Sequence, residues 1–412
     1  MEPLITNDAV TLGLLVAVLG GVFYTRGLGG GWTKFYTFVP IILVCYLIPS
    51  LMATFGLFAP GGENLWPIAR DYLLPASLVL MILSIDLKAI IGLGPKALIM
   101  FFTATIGIVI GGPIAIFLVA LVSPEAVGGE GMDAVWRGFA TLAGSWIGGG
   151  ANQAAMLEVY GFNPERYSVM IAIDIVVANI WMVFLLYGAG NPEPIDRWLK
   201  ADTSAIETLK TKMESFSLQS ERPSQAKDFV LIMAVAFGAV GASHLVADLL
   251  VPALETSPVF AGSILTSSFF WIVVTATTIG MALSFTPARN LEGAGASKIG
   301  SAFIFLLVAI IGTKMDIFRI GEAKTLFIVG LIWMLVHVAL LLLVAKLVRA
   351  PFFFVAVGSK ANVGGAASAP VVAAAFHPAL APVGVLLAVL GYALGTYGAI
   401  LCAELMRMVA PV

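Results

Sequence analysis

Charged residues are scarce in this chain of 412 residues: they make up 11% of the sequence, whereas an average soluble domain contains about 25%. Hydrophobic residues account for 60%, and the mean hydropathy is +1.01. The net charge at pH 7 is −2, so the basic excess that is typical of nucleic-acid-binding proteins is absent. This composition predicts an all-α polytopic membrane protein that has no nucleic-acid partner.

Cysteines are few and enzyme motifs are lacking. Cys45 and Cys402 both lie in apolar runs, without the spacing of a metal site or a disulfide framework. The sequence contains no Walker loop, no His/Glu metal helix and no Gly-x-Ser-x-Gly elbow. We therefore predict that the protein is not an enzyme, that ATP does not drive it and that it carries no cofactor besides a coupling ion.

Apolar runs long enough to cross a bilayer, roughly 20 residues each, fill most of the chain. The predicted spans are 9–25, 35–57, 68–85, 97–122, 138–160, 167–188, 228–251, 260–285, 299–315, 324–348, 352–376 and 380–408. The N-terminus lacks a basic region and a small-residue cleavage site, so we expect the first run to be retained. We predict ten crossings and two broken or re-entrant elements.

The longest polar stretch, 190–227, separates these runs into two halves, and its 201–216 part has the composition of a short surface helix. Six full crossings in each half would make the halves parallel repeats, whereas an odd number would make them inverted repeats. The distribution of basic residues favours neither topology. Both topologies place the 190–227 linker in the cytoplasm.

Two Gly-rich stretches stand at matching places in the two halves. The first runs from Gly144 to Asn152 and the second from Gly358 to Ala366, and an ungapped alignment places Gly150 on Gly364. Helix breakers at corresponding positions of two halves are the best sequence indicator of a transporter's binding site. Broken backbone must be buried in protein or line a wet cavity, because hydrocarbon cannot satisfy its polar groups. We therefore predict two inverted repeats whose Gly-rich elements cross in mid-membrane.

Asp174 is the strongest candidate for a functional side chain. It lies near the middle of the run from Tyr167 to Gly188, without a basic neighbour on the same helix. A carboxylate at this depth is costly, by about 2.5 kcal/mol or more, and marks an ion or proton path by default. Asn179 lies about 140° further around the helix and need not share its face. The competing interpretation is a buried carboxylate that caps the amides of a broken helix.

The Gly-rich stretches offer two kinds of polar group. Half-helix N-termini favour anions, whereas unwound carbonyls and side-chain oxygens coordinate sodium. The predicted solute-binding residues are Ser145, Gly149, Gly150, Asn152, Gln153, Ser359, Lys360, Asn362, Gly364 and Gly365. The predicted sodium ligands are Asp174, Asn179, Asn152, Asn362 and Ser368. Close helix packing through small residues is the alternative explanation of the glycines.

Other polar residues have simpler interpretations. Lys360 either contacts the mid-membrane carboxylate or a solute, or extends to the cytoplasmic rim. His337 is more typical of a satisfied buried histidine than of a proton relay. Glu158 and Glu165, near the end of a segment, are expected to be solvated. The spacing Gly391-x-x-x-Gly395 indicates helix packing.

The two Gly-rich stretches resemble the signatures of the bacterial membrane protein family called domain of unknown function 819, and the resemblance covers nearly the whole chain. That family is grouped with the cation/proton antiporter and anion transporter superfamily. The resemblance implies inverted repeats and a mobile core that moves like an elevator against a scaffold, which often dimerises. In the antiporters of that superfamily, the ion-binding carboxylates lie on the helix after the first broken one, which is the position of Asp174. Ile173 precedes it here, so the adjacent acidic pair of many antiporters is missing and sodium coupling is favoured over pure proton exchange.

We therefore predict a secondary active transporter that takes up a small organic solute, of anionic character, together with sodium by an elevator-type mechanism. A sodium/proton antiporter that uses Asp174 is the first alternative. A channel or a membrane protein without transport activity is the second.

The predicted organisation follows the two repeats. The first repeat is 1–189, with scaffold 9–85 and core 97–188, and the second is 228–412, with scaffold 228–315 and core 324–408. The linker 190–227 joins them. The protein is expected to be a homodimer in the inner (plasma) membrane.

Overall fold

A computed structural model describes residues 3–39, 41–58, 64–204, 206, 209, 223–260, 263–316, 318, 321 and 324–411. The helices in this part of the chain are α1 (Asp8–Gly27), α2 (Gly31–Phe38), α3 (Ile41–Thr54), α4 (Leu65–Leu83), α5 (Leu87–Ile91), α6 (Pro95–Ala120), α7 (Pro124–Val127), α8 (Val135–Val159), α9 (Tyr167–Gly190), α10 (Glu193–Leu199), α11 (Ala226–Glu255), α12 (Ser268–Ser284), α13 (Ala296–Gly312), α14 (Lys324–Val348), α15 (Phe352–Asn362), α16 (Gly365–Phe376) and α17 (Ala381–Val409). Short 3₁₀ helices cover Gly131–Asp133, Pro164–Arg166, Ile264–Thr266, Pro287–Ala294 and Pro378–Leu380. The described residues contain no β-strand, only an isolated bridge between Ile5 and Phe58.

The helical membrane protein predicted from composition is confirmed. Seven helices in the described ranges are long and apolar enough to cross a bilayer, or up to eight if the pair Ser268–Ser284 and Pro287–Ala294, bent by 94°, counts as one span. Two further helices of the predicted crossings, Ile41–Thr54 and Ala296–Gly312, are apolar but shorter than a standard span. The total of ten crossings therefore stays a prediction.

The first Gly-rich segment, α8, is a helical hairpin that we call hairpin 1. Its backbone leaves the helical region at Gly149, with φ 72° and ψ −171°, which only glycine adopts readily. An unbroken helix of this length would separate its ends by about 37 Å, yet the rings of Trp136 and Tyr160 lie 5.4 Å apart. The two arms therefore lie side by side. Gly144 permits this approach, because a Cβ there would lie 2.5 Å from the Asn152 carbonyl oxygen.

The second Gly-rich segment forms a matching structure, hairpin 2, from α15 and α16. The chain reverses between them at Gly364 (φ 120°) and Gly365 (φ 57°). The rings of Phe353 and Phe376, near its two ends, lie 5.3 Å apart. Both Gly-rich segments thus contain the predicted break, and in each the two arms pack against one another.

Hairpin 1 packs against α17 through the Gly391-x-x-x-Gly395 motif. A Cβ at Gly391 would lie 2.7 Å from the Ile147 carbonyl oxygen, and one at Gly395 would lie 2.5 Å from the Gly148 Cα. Side chains at these two positions would therefore force the tip of hairpin 1 away from α17. The packing function predicted for this motif is confirmed.

The polar linker is described only in part. The predicted surface helix over 201–216 falls mostly outside the described residues, and α10 (Glu193–Leu199) precedes it. The Asp196 carboxylate accepts from the Phe352 backbone N–H at 2.7 Å, at the start of hairpin 2. The Asp202 carboxylate accepts from the Lys96 ammonium at 2.9 Å, and hydrogen bonds from Ser204 and Lys96 lower the pKa of Asp202 to about 2. The linker is thereby joined to the starts of both α6 and hairpin 2.

Candidate functional site

One face of α9 runs along both hairpin tips. Asp174, Ala178 and Trp181 share that face because positions i, i+4 and i+7 lie one above the other on a helix. Asp174 contacts hairpin 1, whereas Ala178 and Trp181 contact hairpin 2. This helix therefore connects the two predicted halves of the site.

The Asp174 carboxylate accepts three hydrogen bonds, all from hairpin 1. Ser145 Oγ donates at 2.6 Å and Gln153 Nε2 at 3.1 Å to Oδ2, and Trp146 Nε1 donates at 2.7 Å to Oδ1. Ser145 and Trp146 precede the break at Gly149 and Gln153 follows it, so the carboxylate holds both arms of the tip. The structure thus brings three predicted site residues together, and it adds Trp146.

The charge of Asp174 has no cation in contact with it. All three donors are neutral, and no lysine or arginine nitrogen of the described residues lies within 4.0 Å of the carboxylate. The residue is partly exposed. Hard cations such as sodium take oxygen ligands, and the carboxylate, the Ser145 hydroxyl and the Gln153 amide oxygen supply them in one place.

Asn152 fastens hairpin 1 to α17. Its Nδ2 donates to the carbonyls of Gly148 (2.9 Å) and Tyr392 (3.2 Å), and its Oδ1 accepts from Thr396 Oγ1 at 2.6 Å. The side chain is fully buried. Its amide therefore binds protein groups on both sides.

Asn362 fastens hairpin 2 to α6 in the same way. Its Nδ2 donates to the carbonyls of Gly358 (3.0 Å) and Phe101 (3.3 Å), and its Oδ1 accepts from Thr105 Oγ1 at 2.8 Å. Each asparagine thus bonds the carbonyl four residues before it, together with a carbonyl and a threonine four residues apart on the neighbouring helix. The repeated Gly-x-x-x-Asn spacing is the signal that sequence reasoning left unused. The predicted role of both asparagines as sodium ligands requires that these amide oxygens be released.

Ser359 belongs to a hydrogen-bond chain inside the protein. Trp181 Nε1 donates to Ser359 Oγ at 2.8 Å, and Ser359 Oγ lies 2.8 Å from His337 Nε2. His337 Nδ1 lies 3.0 Å from the Ala104 carbonyl, which can only accept, so we assign the proton to Nδ1 and the Ser359 hydroxyl donates to Nε2. A neutral His337 satisfies every group in this chain, in agreement with a structural histidine. The predicted contact of Ser359 with a solute stays a prediction.

Lys360 lies in the interior and not at a membrane rim. Its side chain is 2% exposed, and its Nζ donates to the Ala178 carbonyl at 3.1 Å. The expectation that it extends to the cytoplasmic surface is therefore wrong. No carboxylate oxygen of the described residues lies within 4.0 Å of its Nζ, so the charge is not neutralised by direct contact.

Ser368 lies beside Lys360 in hairpin 2, and not beside the hairpin 1 residues that bond Asp174. A Cβ placed on Gly364 would lie 2.2 Å from Ser368 Oγ and 3.2 Å from Lys360 Nζ, so both polar atoms border the same point at the tip. Ser368 Oγ is buried and has no hydrogen-bond partner in the described structure. The neighbouring ammonium opposes its predicted role as a sodium ligand, because two cations would then be adjacent.

The remaining predicted residues border the tips at different places. Gly149 and Gly365 both adjoin the Tyr392 ring: a Cβ at Gly149 would lie 3.3 Å from Cε1, and one at Gly365 would lie 3.7 Å from the hydroxyl oxygen. Gly150 instead faces Ile42 on α3. Asn179 is partly exposed, makes no hydrogen bond within the described structure and does not share the face of Asp174.

Two buried tyrosines were missed by sequence reasoning. Tyr167 lies two turns before Asp174 on the same face of α9, and its ring packs 6.1 Å from that of Tyr46 on α3. Both hydroxyls are buried without a partner among the described residues. The two tyrosines lie in separate predicted spans, so their approach could not be predicted from residue spacing.

Glu158 corrects another expectation. Its side chain is 14% exposed, and a carboxylate oxygen lies 4.0 Å from Arg70 NH1. It is therefore mostly buried against α4 and not solvated as predicted. The α4 helix supplies the counter-charge that sequence position could not reveal.

The fold and the site define a polytopic helical membrane protein with two broken hairpins that contact the same face of one helix, which carries the carboxylate. The chain belongs to the family described as protein of unknown function DUF819, which matches residues 13–409. It is also similar to a protein of Bacillus subtilis (strain 168) named "Uncharacterized membrane protein YjcL". The two are 24% identical over 404 residues, which cover 96% of this chain and 97% of that protein.

Proposed function

We propose that the protein is a secondary active transporter that couples the uptake of a small anionic solute to sodium. The observation that carries the proposal is the geometry of the two hairpins. Their tips adjoin Tyr392 on one side, and both contact the same face of α9. Broken helices that meet beside a buried ionisable group are the usual construction of an ion and solute site in secondary transporters.

Sodium binds at Asp174 in this proposal. The ion displaces part of the hydrogen bonding from Ser145 and Gln153 and takes oxygen ligands from the same residues. Trp146 continues to donate to Oδ1 and keeps the carboxylate oriented. Because this contact draws on both arms of hairpin 1, ion binding is linked to the conformation of the tip.

The larger architecture is part of the same proposal. The two halves are inverted repeats, the core comprises 97–188 and 324–408, and the scaffold comprises 9–85 and 228–315. The core moves as an elevator within a homodimer of the inner (plasma) membrane.

Thermal unfolding of the purified protein tests the ion site. A ligand that binds only the folded state stabilises it by about 1.4 kcal/mol for each tenfold rise above its Kd. We expect sodium, at constant ionic strength with choline, to raise the unfolding temperature of the wild type and not that of Asp174→Asn. Asp248→Asn, at an exposed position of α11, is the matched control and should respond as the wild type does. An equal response of Asp174→Asn would refute the ion site.

A sodium/proton antiporter is the second candidate. The lack of a basic residue in contact with Asp174 favours the antiporter as much as it favours the symporter. The carboxylate would then alternate between a proton and sodium, and no organic solute would bind. Sodium flux into proteoliposomes driven by a pH gradient alone would support the antiporter. Sodium flux that requires a solute would support the symporter.

A further inference from the structure

We infer that the tip of hairpin 2 binds the carboxylate group of a monoanionic solute between Lys360 and Ser368, and that this anion and one sodium ion enter as a neutral pair. The inference rests on the proposed transport function and specifies its substrate class and coupling ratio. It comes from hydrogen-bond donors at this tip that the protein itself leaves unsatisfied.

Three kinds of donor converge beside Gly364. The Lys360 ammonium has three N–H groups, and the Ala178 carbonyl accepts one of them. The Ser368 hydroxyl has no partner among the described residues, although its oxygen is buried. The N-terminus of α16, a helix of 12 residues, has no side-chain cap, and of its first-turn N–H groups that of Ala366 bonds the Tyr392 hydroxyl.

The donors border the exposed chain reversal at Gly364. Gly364 itself is exposed, whereas the Lys360 side chain behind it is 2% exposed. A Cβ on Gly364 would occupy the point that borders Lys360 Nζ and Ser368 Oγ. Because that Cβ would overlap Ser368 Oγ, the point is already filled, and in this proposal an acceptor group enters from the exposed side of Gly364 as the Ser368 side chain turns.

A carboxylate has two acceptor oxygens and a single negative charge, which match the donors and the one ammonium beside Gly364. One of its oxygens can accept from Lys360 Nζ, while the other accepts from the Ser368 hydroxyl and a backbone N–H of α16. A single ammonium neutralises a monoanion. A dianion such as phosphate would leave a second negative charge buried close to Asp174, which low-dielectric surroundings disfavour.

The coupling follows from the positions of the two charges on α9. Lys360 binds the carbonyl of Ala178, one turn beyond Asp174 on the same face. These two residues balance each other's charge when the site is empty. An anion bound alone leaves an excess negative charge, and sodium bound alone leaves an excess positive charge. The two ligands together restore neutrality, so each should raise the affinity for the other, by at least about tenfold.

The test is thermal unfolding with short monocarboxylates, namely acetate, propionate, lactate and pyruvate, and with their neutral amides, each with and without sodium. We expect at least one carboxylate to stabilise the wild type, at a concentration at least about tenfold lower when sodium is present. The matching amide should have no effect. Lys360→Met should lose the response to the carboxylate. A wild type that responds to none of these carboxylates, or equally to an amide, would overturn the inference.

Ser368→Ala tests the same anion site if Lys360→Met does not fold. Removing an unpartnered buried hydroxyl leaves no other group unsatisfied, so the variant without ligand should be at least as stable as the wild type. Its apparent carboxylate affinity should fall about fivefold, while its sodium response in the absence of carboxylate is kept. Ser243→Ala, at a buried serine that bonds the Ala239 carbonyl, is the control and should keep full carboxylate affinity. Unchanged carboxylate affinity in Ser368→Ala would contradict the proposal.

The coupling ratio and the proposed transport function fail in different ways. Uptake of sodium with the carboxylate into proteoliposomes should not depend on an imposed potassium diffusion potential, because a neutral pair moves no net charge. Uptake that follows the potential would overturn the one-to-one ratio and leave the transporter in place. A sodium response at Asp174 without any carboxylate response would overturn the anion site alone.

Discussion

At the residue scale, the site is held by polar side chains that each have a definite set of partners. Asp174 accepts from Ser145, Trp146 and Gln153, while Asn152 and Asn362 use their whole amides to attach the hairpins to neighbouring helices. Asp174 and Ser145 are partly exposed and Asp174 carries charge, whereas the two asparagines are buried and neutral. We therefore assign ion binding to Asp174 and the positioning of the hairpins to Asn152 and Asn362.

The attachment of hairpin 1 can be measured with a double-mutant cycle. Thr396→Val leaves the Asn152 Oδ1 without its donor, which should cost about 1–3 kcal/mol of unfolding free energy. Asn152→Ala should be at least as costly, because the Tyr392 carbonyl also loses its donor. The double variant should lose less than the sum, with a coupling energy of at least about 0.5 kcal/mol in denaturant unfolding. Additive losses would show that the contact contributes no stability of its own.

Sequence reasoning identified the charged residue of the site and two of its three hydrogen-bond donors, Ser145 and Gln153, but not Trp146. Asp174 could be predicted because a carboxylate inside an apolar helix can be recognised from the sequence alone, without knowledge of its partners. Trp146 could not, because an indole in an apolar run is indistinguishable from a core residue until its N–H is seen to face a carboxylate. The approach of Ser368 to Lys360 likewise depends on the turn at Gly364, whose direction is not encoded in residue spacing.

At the element scale, the hairpins depend on glycine conformations that other residues do not adopt. Both breaks were predictable from runs of glycine, and the aligned pair Gly150 and Gly364 lies within one residue of the observed breaks at Gly149 and Gly364. The side-by-side arrangement of the arms was not fixed by the sequence. It depends on the contacts of Trp136 with Tyr160 and of Phe353 with Phe376, which join residues at opposite ends of each segment.

Gly149→Ala tests whether the tip of hairpin 1 requires glycine. Alanine at φ 72° and ψ −171° is strained by about 1–3 kcal/mol, and its Cβ would meet the Tyr392 ring at 3.3 Å. We expect a lower unfolding temperature and a weaker sodium response. Gly238→Ala on α11 is the control, since a Cβ there meets nothing within 4 Å, and it should be neutral or slightly stabilising. A Gly149→Ala variant as stable and responsive as the wild type would show that the break is not essential.

At the scale of the whole molecule, composition was sufficient to predict a polytopic helical membrane protein, and the predicted spans match the helices closely. Crossing number and orientation were harder, for physical reasons. Ile41–Thr54 and Ala296–Gly312 are shorter than a bilayer requires, so length alone does not decide whether they cross. The two topologies place nearly the same number of basic residues inside, so the positive-inside rule does not choose between them.

The central claim of this account is that the carboxylate between the hairpins binds sodium, and direct binding of radioactive sodium to the purified protein tests it. We predict saturable binding to the wild type and to Asp248→Asn, loss of binding in Asp174→Asn, and retained binding in Lys360→Met. Binding to Asp174→Asn with the affinity of the wild type, or no saturable binding to the wild type, would contradict it.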